Sequence, residues 1–143
     1  MANEWTYRVQ DAAVNPAAFA LPTATNTTCS AQIDLGTASS SGLNARLEEM
    51  EFEIQAPALA VGELANGQTV TYNVEHSTAS GGGYTTLQGS VVVQTGAGGA
   101  GAAAQTVRFR IPTSAYRYIN VAAVAGAGAG NPSTSDCTVT VRF

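Results

Sequence analysis

The sequence predicts an all-β protein: an antiparallel β-sandwich preceded by an extended N-terminal arm. Two observations carry this expectation. Apolar residues alternate with polar ones over many short runs, the period of a strand with one buried face. Each run is bounded by Gly, Pro, Ser or Asn clusters, with no stretches for the crossover helices of a parallel sheet. The length of 143 residues suits one domain, which buries roughly 68% of its unfolded surface and folds without a metal or disulfide staple.

Taken in order, residues 1–28 read as the arm and residues 29–143 as the sandwich domain. In the arm, Trp5, Tyr7 and Val9 alternate with Glu4, Thr6, Arg8 and Gln10. Asn15-Pro16 and Leu21-Pro22 then interrupt the pattern, because the residue before a proline is driven out of regular pairing. Phe19 and Leu21 are isolated apolar anchors in an Ala- and Pro-rich setting. Such an arm packs either on its own sandwich or on a neighbouring subunit.

The first core strand is expected at about 29–35, closed by Gly36. Residues 43–54 carry two periods at once. Leu43, Leu47, Met50 and Ile54 are spaced for a helix, whereas Met50, Phe52 and Ile54 alternate with Glu49, Glu51 and Glu53 as in a strand. The β-like surroundings and the absence of a glycine cap decide for a strand. In TVTYNVEHS (69–77) the apolar face holds Val70, Tyr72, Val74 and His76. A strand apolar on both faces at its centre follows at 87–95. Val107, Phe109 and Ile111 then alternate with Thr106, Arg108 and Arg110, a further strand covers 117–125, and Val139, Val141 and Phe143 face inward in the last. The expected total is about seven core strands, eight with the arm.

Composition excludes several functions. Charged residues form only 11% of the chain, against about a quarter in a typical domain, and a surface so poor in charge suggests cover by a partner. There is no lysine, the six cations all being arginines, and the net charge is -4. That balance lacks the basic footprint of a nucleic-acid binder, and no apolar run reaches the ~20 residues of a membrane span. The N-terminus shows no basic segment followed by an apolar one. The chain is therefore expected to stay in the cytoplasm, unless a leader was replaced by the initial Met.

No reactive constellation stands out. GAGGAG (Gly96, Gly98, Gly101) matches the dinucleotide fingerprint, but the required helix and downstream carboxylate are missing. His76 is the only histidine and reads as a core or rim residue. Glu49, Glu51 and Glu53 share a face, where hydration leaves them unsuited to acid catalysis. Their better use is pairing with Arg108 and Arg110 on an adjoining strand, or across a subunit boundary. Cys29 and Cys137 fit no metal-ligand spacing and read as buried free thiols, or as a bridge if their strands are neighbours. No cofactor or metal is expected. Asn26-Thr27-Thr28 is a sequon that matters only with a secretory signal.

SAQIDLG (30–36), MEFEIQAPAL (50–59), TVTYNVEHS (69–77), VQTGAGGAGAAAQTVRFRIP (93–112) and RYINV (117–121) carry a resemblance. Over residues 30–143 the chain resembles the jelly-roll cement (decoration) proteins of tailed bacteriophages of the short-tailed type. The resemblance implies a jelly-roll sandwich, made in the host cytoplasm, that binds the outer surface of the phage head as a homo-oligomer, a dimer or trimer. There it would clamp adjacent major capsid proteins together, with neither nucleic acid nor membrane as a partner and no catalytic residue to carry over. Trp5, Tyr7 and Phe19, with Arg8 beside them, are expected to anchor the partner contacts. The alternative is a receptor- or carbohydrate-binding head of a fibre, or an immunoglobulin-like surface domain, in which Tyr116 and Tyr118 would sit at a tyrosine corner. Strand number alone leaves jelly-roll and immunoglobulin-like orders both open.

Overall fold

The computed structural model describes residues 17–35 and 50–142. Two antiparallel sheets pack face to face. The first runs in the order β1 (Ala17–Ala20), β9 (Asp136–Arg142), β4 (Glu51–Ala56), β7 (Gln105–Arg110). The second runs β2 (Thr27–Cys29), β8 (Tyr118–Ala125), β5 (Thr69–Ser77), β6 (Thr85–Thr95), with β3 (Ile33–Asp34) continuing along β8 beyond β2.

β2 and β3 are one edge strand broken at Ser30–Gln32. At the break Ser30 N–H donates to the Val121 carbonyl at 2.8 Å, and Ser30 Oγ accepts from Val121 N–H at 3.0 Å. A hydroxyl thus stands in for a ladder carbonyl and keeps β8 satisfied. With β2 and β3 counted together, first pairs with last, second with second-last, and so on to the β5–β6 turn. The chain is one long hairpin rolled into two sheets, which is the jelly roll. Immunoglobulin-like order, which sets the first strand beside the second, is excluded because β1 lies beside β9.

The alternation seen in the sequence builds the core. Phe52 and Ile54 face Val70, Tyr72 and Val74 from the other sheet, with Ile119, Val121, Val139 and Val141, all at most 1% exposed. Each such side chain contributes roughly 1.5–3 kcal/mol by leaving water. The strand reading of the glutamate-rich segment holds from Glu51 onward, while residues 36–49, including Leu43 and Leu47, lie outside the described residues.

The boundary expected between residues 28 and 29 moves. β1 is an edge strand of the first sheet, Leu21 is 1% exposed and donates its N–H to Ser135, and β2 pairs with β8. Residues 17–28 therefore belong to the sandwich. Ala-Ala-Phe-Ala has little strand propensity of its own, and pairing with β9 is what extends it.

One end of the roll is closed by backbone against backbone. Leu59 and Ala102 exchange N–H···O bonds at 2.8 Å, and Asn131 N–H reaches the Gly62 carbonyl at 3.1 Å. The connections before β5, before β7 and before β9 interlock there. A Cβ on Gly101 would strike the Leu59 carbonyl oxygen, and its φ of +75° is a second reason for glycine. The Tyr72 hydroxyl ties this end to the core by donating to Gln94 Oε1 at 2.8 Å. Gln94 Nε2 then donates to the carbonyls of Pro57 and Ala103 at 2.7 and 2.9 Å.

Candidate interaction surfaces

Three of the four residues expected to anchor partner contacts, Trp5, Tyr7 and Arg8, lie outside the described residues. The fourth is corrected. Phe19 is 9% exposed and belongs to the chain's own core, because β1 turns its alternate side chain inward against the sandwich. Of the two places open to that stretch of the arm, Phe19 takes its own fold.

On the outer face of the first sheet, Glu51 and Glu53 lie in register with Arg110 and Arg108. Arg108 Nε donates to Glu53 Oε2 at 3.1 Å, and Arg110 Nη2 stands 3.6 Å from Glu51 Oε1. The expected cross-strand pairing is thus present within one chain. The sequence reading missed Arg142, which comes from β9 on the other side of β4. Its Nε and Nη2 both donate to Glu53, at 3.1 and 2.8 Å. Strand order was the missing information, since only it places the last arginine beside β4.

Glu53 is also not the hydrated carboxylate expected. It is 5% exposed, although it points away from the core, because the arginine side chains cover it. The Arg142 hydrogen bond first, then those of Gln55 and Arg108, hold its carboxyl down to about 2. A carboxylate held ionised this firmly is no general acid.

The outer face of the second sheet is the opposite case. Glu75 and Asn120 are cross-strand partners, and both point outward because Val74, Ile119 and Val121 point in. Asn120 is 5% exposed, and its Oδ1 has no hydrogen-bond partner among the described residues. Glu75 has no ion pair among the described residues, and burial pushes its carboxyl up. Across this face Gln32 Oε1 accepts from the Tyr84 hydroxyl and from Gly81 N–H, each at 2.8 Å. The β5–β6 turn is thereby pinned to the β2–β3 break.

The opposite end of the roll gathers aromatic side chains. His76 lies at the rim, as expected, with its ring stacked on Tyr116 at 4.1 Å and its Nδ1 accepting from Tyr116 N–H at 3.1 Å. Burial lowers its affinity for a proton, which suits a nitrogen used as an acceptor. Arg117 makes a two-point contact with Asp34 at 2.8 and 2.9 Å and lies 5.0 Å from the centre of the Tyr118 ring.

The remaining candidates resolve simply. Cys29 and Cys137 are unbridged, and Cys137 is buried in the core as expected, whereas Cys29 is exposed. Gly96 and Gly101 of the fingerprint-like loop pack on the backbone of residues 59–65, and no helix follows them. Among the described residues no group of three or more His, Cys, Asp or Glu side chains could hold a metal ion, and no helix is long and apolar enough to cross a membrane. The chain matches no family model and no curated protein.

Proposed function

We propose that this chain is a structural capsid cement, or decoration, protein. It binds the outer surface of a phage head as a dimer or trimer and clamps major capsid subunits together. The observation that carries the reading is the rolled hairpin of jelly-roll order, on the residues that resemble cement proteins. The outward groups support it, because Asp34, Glu51, Glu53 and Glu63 are spent on arginines and hydroxyls rather than arranged around a reacting centre. Its partners are then the major capsid protein and further copies of itself. An adhesive protein present in many symmetric copies gains by multivalency, so each contact can be weak.

Cosedimentation with purified phage shells, together with the mass in solution, tests this directly. Removing residues 1–16, which leaves β1 intact, should abolish decoration or oligomerisation while the far-ultraviolet spectrum of the sandwich persists. Unchanged shell binding after that deletion would refute a role for the arm.

A carbohydrate-binding head is the second reading, favoured by Tyr84, Tyr116 and Tyr118 standing with polar partners on one side of the roll. A sugar needs a free ring face, however, and His76 takes one face of Tyr116 while Arg117 takes one face of Tyr118. Saturable quenching of tyrosine fluorescence by an oligosaccharide, without shell binding, would reverse the ranking.

A further inference from the structure

We propose that the free edge of β7 accepts a strand from a partner protein, one in which apolar residues alternate with carboxylates. β7 ends the first sheet, so one row of its backbone N–H and C=O groups has no strand beside it among the described residues. Proteins usually guard such an edge with charges that stand over it. Here the guards are drawn back, since Arg108 and Arg110 reach towards Glu53 and Glu51 on β4, the strand on the other side. Val107 and Phe109 pack on the core from β7 but remain half-buried, so this flank lacks an apolar cover among the described residues.

A strand shows the same side chains to both of its neighbours, so the occupied edge of β7 tells what the free edge would take. Its neighbour β4 sets Phe52 and Ile54 against Phe109 and Val107, and Glu51 and Glu53 against Arg110 and Arg108. The arginines have donors to spare, because the contact from Arg108 uses Nε alone and their side chains stay 61% and 68% exposed. A second strand of the β4 kind would cover the apolar pair and bring carboxylates to those donors, which is recognition by strand addition.

The described edges of a second copy do not supply such a strand. β1, β2, β3 and β6 offer one carboxylate between them, Asp34, and it is already held by Arg117. A second β7 would set arginine against arginine. With none of the described edges suited to it, the occupant we commit to is a different protein, and under the cement reading it is a strand of the shell.

The test uses the full chain and a labelled peptide of sequence EMEFEIQA, that of residues 49–56, followed by fluorescence anisotropy. Saturable binding is expected, weaker as salt is raised, with new amide protection along Gln105–Arg110 in hydrogen exchange. The peptide EMKFKIQA, with lysine at the two facing positions, should bind at least about tenfold more weakly. Arg110→Glu should narrow or invert that preference; if this variant does not fold, the two peptides on the unaltered chain decide. Equal binding of the two peptides, or no saturable binding of EMEFEIQA, overturns the proposal. Failure to sediment with shells would count against the cement reading alone.

Discussion

Glu53 and Glu75 sit at equivalent places, on the outward face of an inner strand of each sheet, and meet opposite treatment. Glu53 is wrapped by two arginines and a glutamine and stays ionised to about 2. Glu75 has a cross-strand amide beside it, no cation among the described residues, and a carboxyl that burial pushes up. The difference lies in the neighbouring strands. β7 and β9 each bring an arginine to Glu53, whereas β8 brings Asn120, and β6, which carries no charge, brings Thr86. One face is locked by charge and the other left short of it, so they should respond in opposite senses to mutation and to pH.

Glu53→Lys should lower the unfolding midpoint more than any other single change on either face, since it sets a third cation beneath Arg108 and Arg142. If Glu53→Lys proves no worse than Glu53→Gln, the arginines are not held there in solution. Next, Asn120→Leu should stabilise the fold by about 1 kcal/mol in a denaturant titration, because it removes a buried acceptor that lacks a donor. A loss instead would mean that the amide has a partner.

The pH effects are smaller and of opposite sign. Glu53 titrates lower folded than unfolded, so its stabilisation is complete above the ordinary value of 4.5 and drains away as pH falls towards about 2. Glu53→Gln should flatten the stability curve over that acid range. Glu75 titrates higher when folded, so its protonated form favours the fold below 4.5 and stability declines as pH rises through the raised value. Glu75→Gln should remove that decline, leaving the variant slightly more stable at neutral pH and unchanged in acid. A variant less stable at pH 7 would show that the carboxylate has a cation after all. Last, Arg142→Ala should cost more than Arg108→Ala, since Arg142 makes two contacts with Glu53 and Arg108 makes one. Equal losses would mean that the two arginines share the carboxylate evenly.

Much of this fold was legible because a period of two is a local property. Phe52 and Ile54 against Glu51 and Glu53 announced a strand, and the charges on VRFRIP offered it a partner, within the chain or across a subunit boundary. What stayed hidden depends on contacts far apart in the chain. β1 is a strand through β9, more than a hundred residues later, and nothing in Ala-Ala-Phe-Ala signals it. Tyr84 meets Gln32, and Arg142 meets Glu53, by the way the hairpin rolls. The role of the glycine-rich loops stayed hidden for a related reason. Their glycines are needed where another loop's backbone presses close, which no local pattern displays.

Cys29 stands on the charge-poor face, in register with Ala122, and is exposed, whereas Cys137 is buried and its thiol pushed up to about 12. Among the described residues the chain therefore carries one thiol that a reagent can reach, at a known spot on one sheet. A bulky maleimide placed there is a ready-made orientation gauge. If binding to a shell survives the label, the second sheet faces outward in the assembly, and if binding is lost, that sheet lies against the partner.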